Sequence, residues 1–474
     1  MKNLITCLII LLATNCFSQK KYNKILTSLD SDLKKYEKIA QDIWSFAEMG
    51  YQEENSSNLL QKTLNDEGFK VSKGLAGIPT AFVATYGSGT PVIAILGEYD
   101  ALPGLSQKAV PYKLSNDGKA GHACGHHLFG TASAAAAIAI KKYIENEKLK
   151  GTVKYFGCPA EEGGSGKVYM TKAGLFNDAD VALHWHPGDR NSASFGKAMA
   201  NKSAKFRFYG VSAHAAGSPE KGRSALDGVE AMNNMVNMLR EHTTESTRIH
   251  YVITKGGNAP NVVPDFAEVY YYARHLNRDE VINVFDRIVK AAEGAALGTG
   301  TTMDYEMIGG THELLINETL QKTIQKNLEK IGGYIYNSEE KIFAEQIAKS
   351  LDITLDTKFV EGIKAYTSDD DAGGSTDVGD VSFTVPTVGL ETATWVPGTP
   401  AHSWQAVAAG GTSIGIKGML IAAKTLALTG MELLDNPKIL SLAKKEFLKR
   451  RGSNFKYIPL LGDREPALDY RNQD

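Results

Sequence analysis

Strand-like and helix-like patterns alternate along the first part of the chain. Residues 24–70 have helical spacing that places one apolar set inward, at Ile39, Ile43, Phe46 and Ala47. Four short apolar runs predict strands, at residues 80–87, 91–100, 151–164 and 180–189. Residues 127–146 predict a helix among them. Because the run at 91–100 is apolar almost throughout, it is typical of a sheet that is buried on both faces. The alternation predicts an α/β domain with a mostly parallel sheet.

The pattern changes between residues 198 and 309. Half-buried strands and amphipathic helices follow one another in the order β-α-β-β-α-β, at 202–210, 224–242, 248–254, 266–276, 278–297 and 301–309. That order is typical of a ferredoxin-like unit. The α/β pattern resumes at 384–396 and in a glycine-rich helix at about 410–430. We therefore predict a main domain in two parts, residues 20–197 and 310–430, with an inserted domain at residues 198–309. Residues 431–474 form a polar C-terminal extension that is either packed or loose.

Residues 1–19 have a composition of their own. An early Lys2 precedes an apolar run from Leu4 to Ala13, and small or polar residues follow. This is the pattern of a secretory signal peptide, with cleavage near Ser18 or Gln19. A buried or anchoring helix is the alternative, and a lipid anchor on Cys16 is disfavoured by the asparagine before it. We expect the mature protein to be exported, to a periplasm or to the outside of the cell.

Charge and cysteine content narrow the choice of partners and chemistry. The chain has 474 residues and a formal net charge of -2, which gives no electrostatic basis for binding nucleic acid or an anionic membrane. No stretch approaches the roughly 20 apolar residues of a spanning helix, so we expect no membrane span. Without residues 1–19 only Cys124 and Cys158 remain. They either form a disulfide or leave Cys124 available to a metal ion.

Metal-ligating residue types lie where predicted strands end or a predicted helix begins. Cys124 stands in "GHACGHH", at the mouth of the helix 127–146. Glu161 and Glu162 directly follow a strand. Because adjacent residues there point to opposite sides, one carboxylate is able to bind metal while its neighbour moves protons. Ends of parallel strands meet at one edge of a sheet, where such folds build their sites. A set of Cys, His, Glu, His and His suits two divalent ions; thiolate and imidazole favour zinc, and the carboxylate leaves manganese open.

Eight segments occur in an order that resembles a known family: "GEYDALPG", "GHACGHH", "PAEEGGSGK", "WHPGD", "GVSAHAAGSPEKGRSALD", "PNVVPDFAEVYYYAR", "GGSTDVGDVS" and "GTPAHSWQ". The chain is similar to the dimetal amidohydrolases that include aminoacylases, indole-acetyl amino acid hydrolases and carboxypeptidase-G-type peptidases. The resemblance implies two divalent ions per subunit, Mn²⁺ or Zn²⁺, with Cys124 bridging them. It implies that the other ligands are His126, Glu162, His186 and His402, and that Glu161 is the general base.

The same resemblance implies roles for residues around the ligands and in the inserted domain. Asp100 would orient a ligand histidine, and His127 and Asp377 would lie behind the ligands, with Asp377 as an occasional ligand. His184 competes with His186 for a ligand position. His214 would reach the active site of the other subunit and stabilise the oxyanion, while Asn261 and Arg274 would hold the far end of the substrate. The inserted domain would then be both a lid and a dimer interface.

The function that this resemblance implies is hydrolysis of the amide bond in N-acyl or N-aroyl amino acids. The likeness is strongest to the branch that acts on p-aminobenzoyl-glutamate. The alternatives are a dipeptidase or exopeptidase on the same scaffold, and an inactive relative used for binding, against which the intact Glu161 argues. We expect a homodimer, or a hetero-oligomer with a related subunit.

Overall fold

The structure, a computed structural model, describes residues 20–194, 196–368 and 373–472. The predicted signal peptide, with Cys7 and Cys16, lies outside the described residues.

A six-stranded sheet forms the centre of the main domain. Its strands lie in the order Lys70–Lys73, Phe82–Ser88, Gly151–Gly157, Val92–Gly97, Val181–Leu183 and Thr387–Val388. The last four strands of that order are parallel to one another, and the first two pair antiparallel. The sheet is therefore mostly parallel, as the sequence predicts. All six residues of Val92–Gly97 are buried, which explains the unbroken apolar run there.

Helices cover the sheet and fill the connections. Those of the main domain are residues 20–31, Leu33–Phe46, Glu54–Asp66, His126–Glu147, Gly166–Lys172, Glu318–Ile331, Ser338–Ser350, Lys358–Glu361, Val378–Ser382, Trp404–Gly410, Ser413–Asp435 and Pro437–Arg451. His126–Glu147 packs against Ser413–Asp435, and its alanines at 134–137 are all buried. By length and composition alone Ser413–Asp435 could cross a membrane, but 83% of its most apolar window is buried in the protein, as in a core helix.

The helix Leu33–Phe46 differs in one respect from the predicted pattern. Tyr36, Ile39, Ala40 and Ile43 form the buried face of Leu33–Phe46. Phe46 is exposed, and Ala47 is only partly buried. The helix ends there because Ala47 adopts a left-handed conformation with φ 45°, so the predicted apolar stripe is cut short by one turn.

The inserted segment forms a separate four-stranded antiparallel sheet. Its strands lie in the order Arg248–Lys255, Phe266–His275, Ala200–Tyr209 and Thr302–Thr311. The helices Ala225–Leu239 and Arg278–Thr299 pack on it and share its apolar core. The chain order is the β-α-β-β-α-β that the sequence predicts, although the last strand continues two residues further, to Thr311. Arg248–Lys255 is an edge strand and most of it is exposed.

The C-terminal extension is packed rather than loose. After Pro437–Arg451 the chain takes an irregular path, which we call the C-terminal tail (residues 452–472). Leu460 and Leu461 are buried, and the hydroxyl of Tyr457 donates to Asp380 Oδ1 at 2.7 Å. Leu461 packs in a core cluster of the main domain, whereas Leu460 packs with Ala200 and Val281 of the inserted domain, so the tail contacts both domains.

Candidate metal centre and active site

Cys124 is placed by a tight connection in front of the helix His126–Glu147. Gly125, between the cysteine and the helix, has φ 76°, a conformation that favours glycine. A Cβ at this position would lie 2.6 Å from Cβ of Pro187. The close approach of these two segments brings the Cys124 thiol 3.4 Å from Nε2 of His186.

Five side chains form two overlapping groups of potential ligands. Within each group the ligand atoms lie within 4.8 Å of one another, and the two groups are Cys124, His126 and His186, and Cys124, Glu162 and His402. Cys124 is common to both. Nε2 of His402 lies 3.1 Å from Oε1 of Glu162. The structure thus brings together all five residues named as ligands from the sequence.

Sequence reasoning missed Glu98, which joins the same cluster. Its Oε2 lies 3.1 Å from Nε2 of His126. Glu98, His126 and Glu161 form a third group, whose ligand atoms also lie within 4.8 Å of one another. Glu98 stands in the quoted segment "GEYDALPG", two residues before Asp100. Its position at the end of the buried strand Val92–Gly97 was the available signal.

The donor set fits divalent metal ions. Oε2 of Glu98, Nε2 of His126 and Oε1 of Glu162 are buried and make no hydrogen bond of regular geometry within the described residues, although Glu98 Oε2 lies 3.1 Å from His126 Nε2 and Glu162 Oε1 lies 3.1 Å from His402 Nε2. Buried polar atoms without partners are costly, and a cation in their midst removes that cost. Thiol, imidazole and carboxylate groups around one point are ligands that zinc and manganese accept.

Asp100 connects two of the proposed ligands. Its Oδ1 lies 2.8 Å from Nδ1 of His126, and its Oδ2 accepts the backbone N–H of Glu162 at 2.9 Å. A carboxylate at Nδ1 keeps the proton on that nitrogen, so Nε2 faces the cluster as a ligand atom. Burial opposes ionisation of Asp100, but the charge and hydrogen bond of His126 outweigh it and lower its pKa.

A buried lysine lies beneath the cluster, and sequence reasoning did not single it out. Nζ of Lys167 is 2.6 Å from Oε1 of Glu98 and 2.6 Å from Oδ1 of Asp377, and all three side chains are buried. Burial alone would lower the pKa of Lys167, but the two carboxylates raise it well above its ordinary value. Asp377 therefore contacts Lys167, behind the ligands. The quoted segment "PAEEGGSGK" contains Lys167, but nothing in it indicates the distant partner Asp377.

Glu161 has the electrostatics of a proton carrier. Burial, followed by the neighbouring charges of Glu98 and Glu162, raises the pKa of Glu161 well above the ordinary range for a glutamate. A carboxyl group with a raised pKa holds a proton more readily near neutral pH, which suits general acid–base chemistry. Burial likewise raises the pKa of Cys124.

Other histidines and the second cysteine lie around the cluster with different partners. His127 Nε2 contacts the carbonyl of Gly410 at 3.1 Å, away from the ligand groups. His186, not His184, is in those groups; burial lowers the pKa of His184 to about 3. Cys124 and Cys158 are both free thiols, so the disulfide interpretation is not supported. Cys158 is fully buried beneath the site.

A cavity of about 860 Å³ lies over the cluster, and both domains contribute to it. From the inserted sheet come Asn201, Tyr272, Arg274 and Thr311. The guanidinium of Arg274 lies 5.1 Å from the ring centre of Tyr272, and its buried Nε has no hydrogen-bond partner among the described residues. Arg274 thus offers a cation with an unused donor at the wall of the cavity.

Two sequence-predicted residues of the inserted domain lie elsewhere. His214 and Asn261 are exposed, and neither is among the described residues that line the cavity. They are neighbours of each other: the N–H of Ala215 donates to the carbonyl of Asn261 at 3.0 Å. Nδ1 of His214 accepts from the backbone N–H groups of Ala216 at 3.2 Å and Gly217 at 3.0 Å. A single copy of the chain therefore does not bring them to the ligand cluster.

Comparisons with a family model, with known protein sequences and with solved structures all relate this chain to amide-hydrolysing enzymes. Residues 94–372 match the family model described as peptidase family M20/M25/M40. The chain is 41% identical over 457 residues to one of the subunits of p-aminobenzoyl-glutamate hydrolase from Escherichia coli strain K12, covering 90% of this chain and 95% of that protein. It is 30% identical over 424 residues to Xaa-Arg dipeptidase of Mus musculus, covering 86% and 88%. The crystal structure of a dinuclear metal-binding M20 peptidase from Bacillus subtilis matches with a TM-score of 0.58 at 16% identity, over 86% of this chain and 99% of that one.

Proposed function

Because this chain belongs to peptidase family M20/M25/M40 and is a hydrolase acting on amide bonds, we propose that it cleaves N-acyl or N-aroyl amino acids. The first candidate substrate is p-aminobenzoyl-glutamate, which the name of the Escherichia coli relative specifies for that protein. The observation that carries the proposal is the pair of ligand groups that share Cys124, with Glu161 beside them.

Cys124, His126, Glu162, His186 and His402 would hold two divalent ions, manganese or zinc. When bound, the ions supply Lewis acidity toward the scissile carbonyl and lower the pKa of the attacking water. Glu161 accepts the proton of that water and then delivers it to the nitrogen of the leaving amine. Asp100 and Lys167 hold His126 and Glu98 in place during both transfers.

Recognition of the substrate carboxylate is proposed for Arg274. A guanidinium binds a carboxylate through paired hydrogen bonds, and the Nε of Arg274 is a buried donor without a partner among the described residues. In a partly dry cavity such a contact is worth about 1.5–3 kcal/mol, or roughly ten- to a hundredfold in kcat/KM. The substrate would then carry a free carboxylate next to the scissile amide.

A dipeptidase is the second candidate, and one observation favours it. The mouse relative at 30% identity is named an Xaa-Arg dipeptidase. A dipeptide carries the same C-terminal carboxylate, so Arg274 serves both substrates. The two candidates differ at the acyl side, where a dipeptide brings a free ammonium group and an aroyl amino acid brings an aromatic ring.

Assembly through the inserted domain is also proposed. The edge strand Arg248–Lys255 exposes Tyr251, Val252 and Ile253, and unpaired strand edges pair readily with another chain. The Escherichia coli relative is named as one subunit of its hydrolase, and the second subunit named for that hydrolase is 28% identical to this chain over 291 residues. We propose either a homodimer or a pairing with a related protein, in which His214 and Asn261 reach the partner's cavity.

Export rests on the sequence of residues 1–19 alone. We propose that they are removed near Ser18 or Gln19. The intact mass of protein from the native host checks this: a mass that includes Met1 to Gln19 contradicts it.

The direct test is a substrate screen on purified, chelator-treated protein reloaded with Mn²⁺ or with Zn²⁺. The panel comprises p-aminobenzoyl-glutamate, N-acetyl amino acids, indole conjugates and dipeptides, and product amino acid is measured. We expect turnover only with metal, fastest on an acyl or aroyl amino acid. Metal-loaded protein without turnover on any of them contradicts the proposal.

The role of Arg274 is tested with the same assay. An acyl amino acid is compared with its C-terminal amide in the wild type, in Arg274→Ala and in Arg274→Lys. The wild type should prefer the acid, the alanine variant should lose most of that preference, and the lysine variant should keep part of it. Equal hydrolysis of acid and amide by the wild type excludes Arg274 from carboxylate recognition.

A further inference from the structure

The end of the C-terminal tail contacts the loop that carries Glu161 and Glu162. The hydroxyl of Tyr470 donates to the backbone carbonyl of Glu162 at 2.9 Å, and Nη2 of Arg471 donates to the same oxygen at 2.7 Å. The backbone N–H of Glu162 donates to Oδ2 of Asp100 at 2.9 Å. The peptide groups on both sides of the Glu162 Cα are therefore held by residues far away in sequence.

The loop needs such support, because its backbone is not in a relaxed conformation. Ala160 has φ 55° and Ser165 has φ 61°, so two residues with side chains adopt the left-handed region. Such residues keep this conformation only where the surrounding structure holds them. The N–H of Ala160 donates to Glu53 Oε1 at 2.8 Å, and Gly164 accepts from the Tyr51 hydroxyl at 2.6 Å. The tail adds support at the middle of the loop, at the Glu162 carbonyl.

The position of Tyr470 is itself well defined. Its ring packs edge-on against Tyr51, with ring centres 5.5 Å apart. A Cβ at Gly50 would lie 2.1 Å from the Tyr470 hydroxyl, so the glycine leaves the room that this hydroxyl occupies. The guanidinium of Arg471 lies 4.7 Å from the Tyr470 ring centre. The two donors are thus arranged as one unit in front of the Glu162 carbonyl.

We propose that Tyr470 and Arg471 are positioning residues that fix the Glu162 carbonyl and thereby aim the side chains of Glu161 and Glu162. Rotation of the peptide group at residue 162 would turn the Glu162 carboxylate away from Cys124 and His402. It would also turn the Glu161 carboxylate away from the reacting water. The inference rests on the proposed function, since it takes Glu162 as a metal ligand and Glu161 as the base. It adds a role for the last residues of the chain, which sequence reasoning left without one.

The test compares Tyr470→Phe, Arg471→Met and the double variant with the wild type. Tyr470→Phe removes one hydroxyl and keeps the ring that packs on Tyr51. Metal affinity is measured by competition with a fluorescent chelator. The values of kcat and KM are measured with the best substrate of the screen, and the Tm is measured on protein from which metal has been removed with a chelator. Asn472→Ala is the matched control, because Asn472 lies beside Arg471 but contacts Gln52 at 2.9 Å.

The double variant should bind metal about ten- to a hundredfold more weakly, as is usual when residues that orient metal ligands are lost. At saturating metal its kcat should fall while KM changes little, because Arg274 and the cavity wall are untouched. Arg471→Lys should recover part of the affinity, and Asn472→Ala should match the wild type in both metal affinity and kcat.

Two results overturn the inference. One is a double variant with wild-type metal affinity and kcat. The other is a loss that Asn472→Ala reproduces or that follows a fall in the Tm of the chelated protein, since either would mean a general contribution to stability. Wild-type protein that binds no metal overturns the proposed function as well, whereas a metal-binding, active wild type with an unaffected double variant overturns this inference alone.

Discussion

The buried Lys167 allows a stability prediction whose size follows from the structure. Its Nζ lies 2.6 Å from one oxygen each of Glu98 and Asp377, and the side chains of all three residues are nearly inaccessible to water. Lys167→Met keeps the length of the side chain and removes the charge. Both carboxylates then lose their cation in a dry environment. Removing one partner of a buried ion pair costs about 3–5 kcal/mol of unfolding free energy, because a charge is left without compensation.

Urea unfolding followed by tryptophan fluorescence is the suitable assay. The four tryptophans, Trp44, Trp185, Trp395 and Trp404, all lie in the main domain, so the signal reports on the domain that contains Lys167. Measurements are made with chelator present, which removes any contribution of bound metal from the comparison.

The same helix provides the control. Lys172 ends Gly166–Lys172 and lies 3.6 Å from Asp463, whose side chain is fully exposed. Because exposed pairs contribute little, Lys172→Met should cost less than about 1 kcal/mol. Adding Asp377→Asn to Lys167→Met should restore part of the loss, since it removes one of the two uncompensated charges. The reasoning is refuted if Lys167→Met costs no more than Lys172→Met, or if Asp377→Asn makes the Lys167→Met variant still less stable.

Three further predictions concern catalysis, assembly and pH. Glu161→Gln should keep its metal while kcat falls by about a hundredfold or more, and near-normal turnover would show that another group is the base. Mixed oligomers of His214→Ala and Glu161→Gln subunits, each nearly inactive alone, should recover about one working site per dimer; no recovery after verified subunit exchange contradicts catalysis across an interface. Burial raises the pKa of Asp380 to about 7, so the folded state keeps a proton that the unfolded state releases, and stability should fall as pH rises from about 4 to 7. Relative to Asp380→Asn, the wild type should lose about 1.4 kcal/mol per pH unit over that range, and a pH-independent difference in urea unfolding contradicts the assignment.

The residues that the sequence located best are those at the ends of regular elements. Cys124 precedes a helix with a strong pattern, and Glu162 follows the mostly buried strand Gly151–Gly157, so their convergence could be anticipated from the rules of parallel sheets. The order of elements in the inserted domain was predictable for the same reason: amphipathic periodicity is a local property.

What the sequence did not reveal depends on contacts between distant segments. Lys167 and Asp377 are 210 residues apart, and neither position has a periodicity that announces the pairing. The contact of Tyr470 with Glu162 spans 308 residues and starts from an irregular tail, where no pattern indicates a neighbour. The early end of Leu33–Phe46 depends on a left-handed alanine, which composition does not predict.

The pairing of Thr387–Val388 with Val181–Leu183 has a consequence for the synthesis of the protein. The earlier strand offers an open edge until about 200 further residues have been made, which takes about 10–40 s at roughly 5–20 residues per second. The inserted sheet, by contrast, draws all its strands from one continuous stretch and is able to form during that interval. An open edge of a half-built sheet invites pairing with another nascent chain. We therefore expect aggregation during production to depend on the pace of elongation, at an edge that the finished protein does not expose.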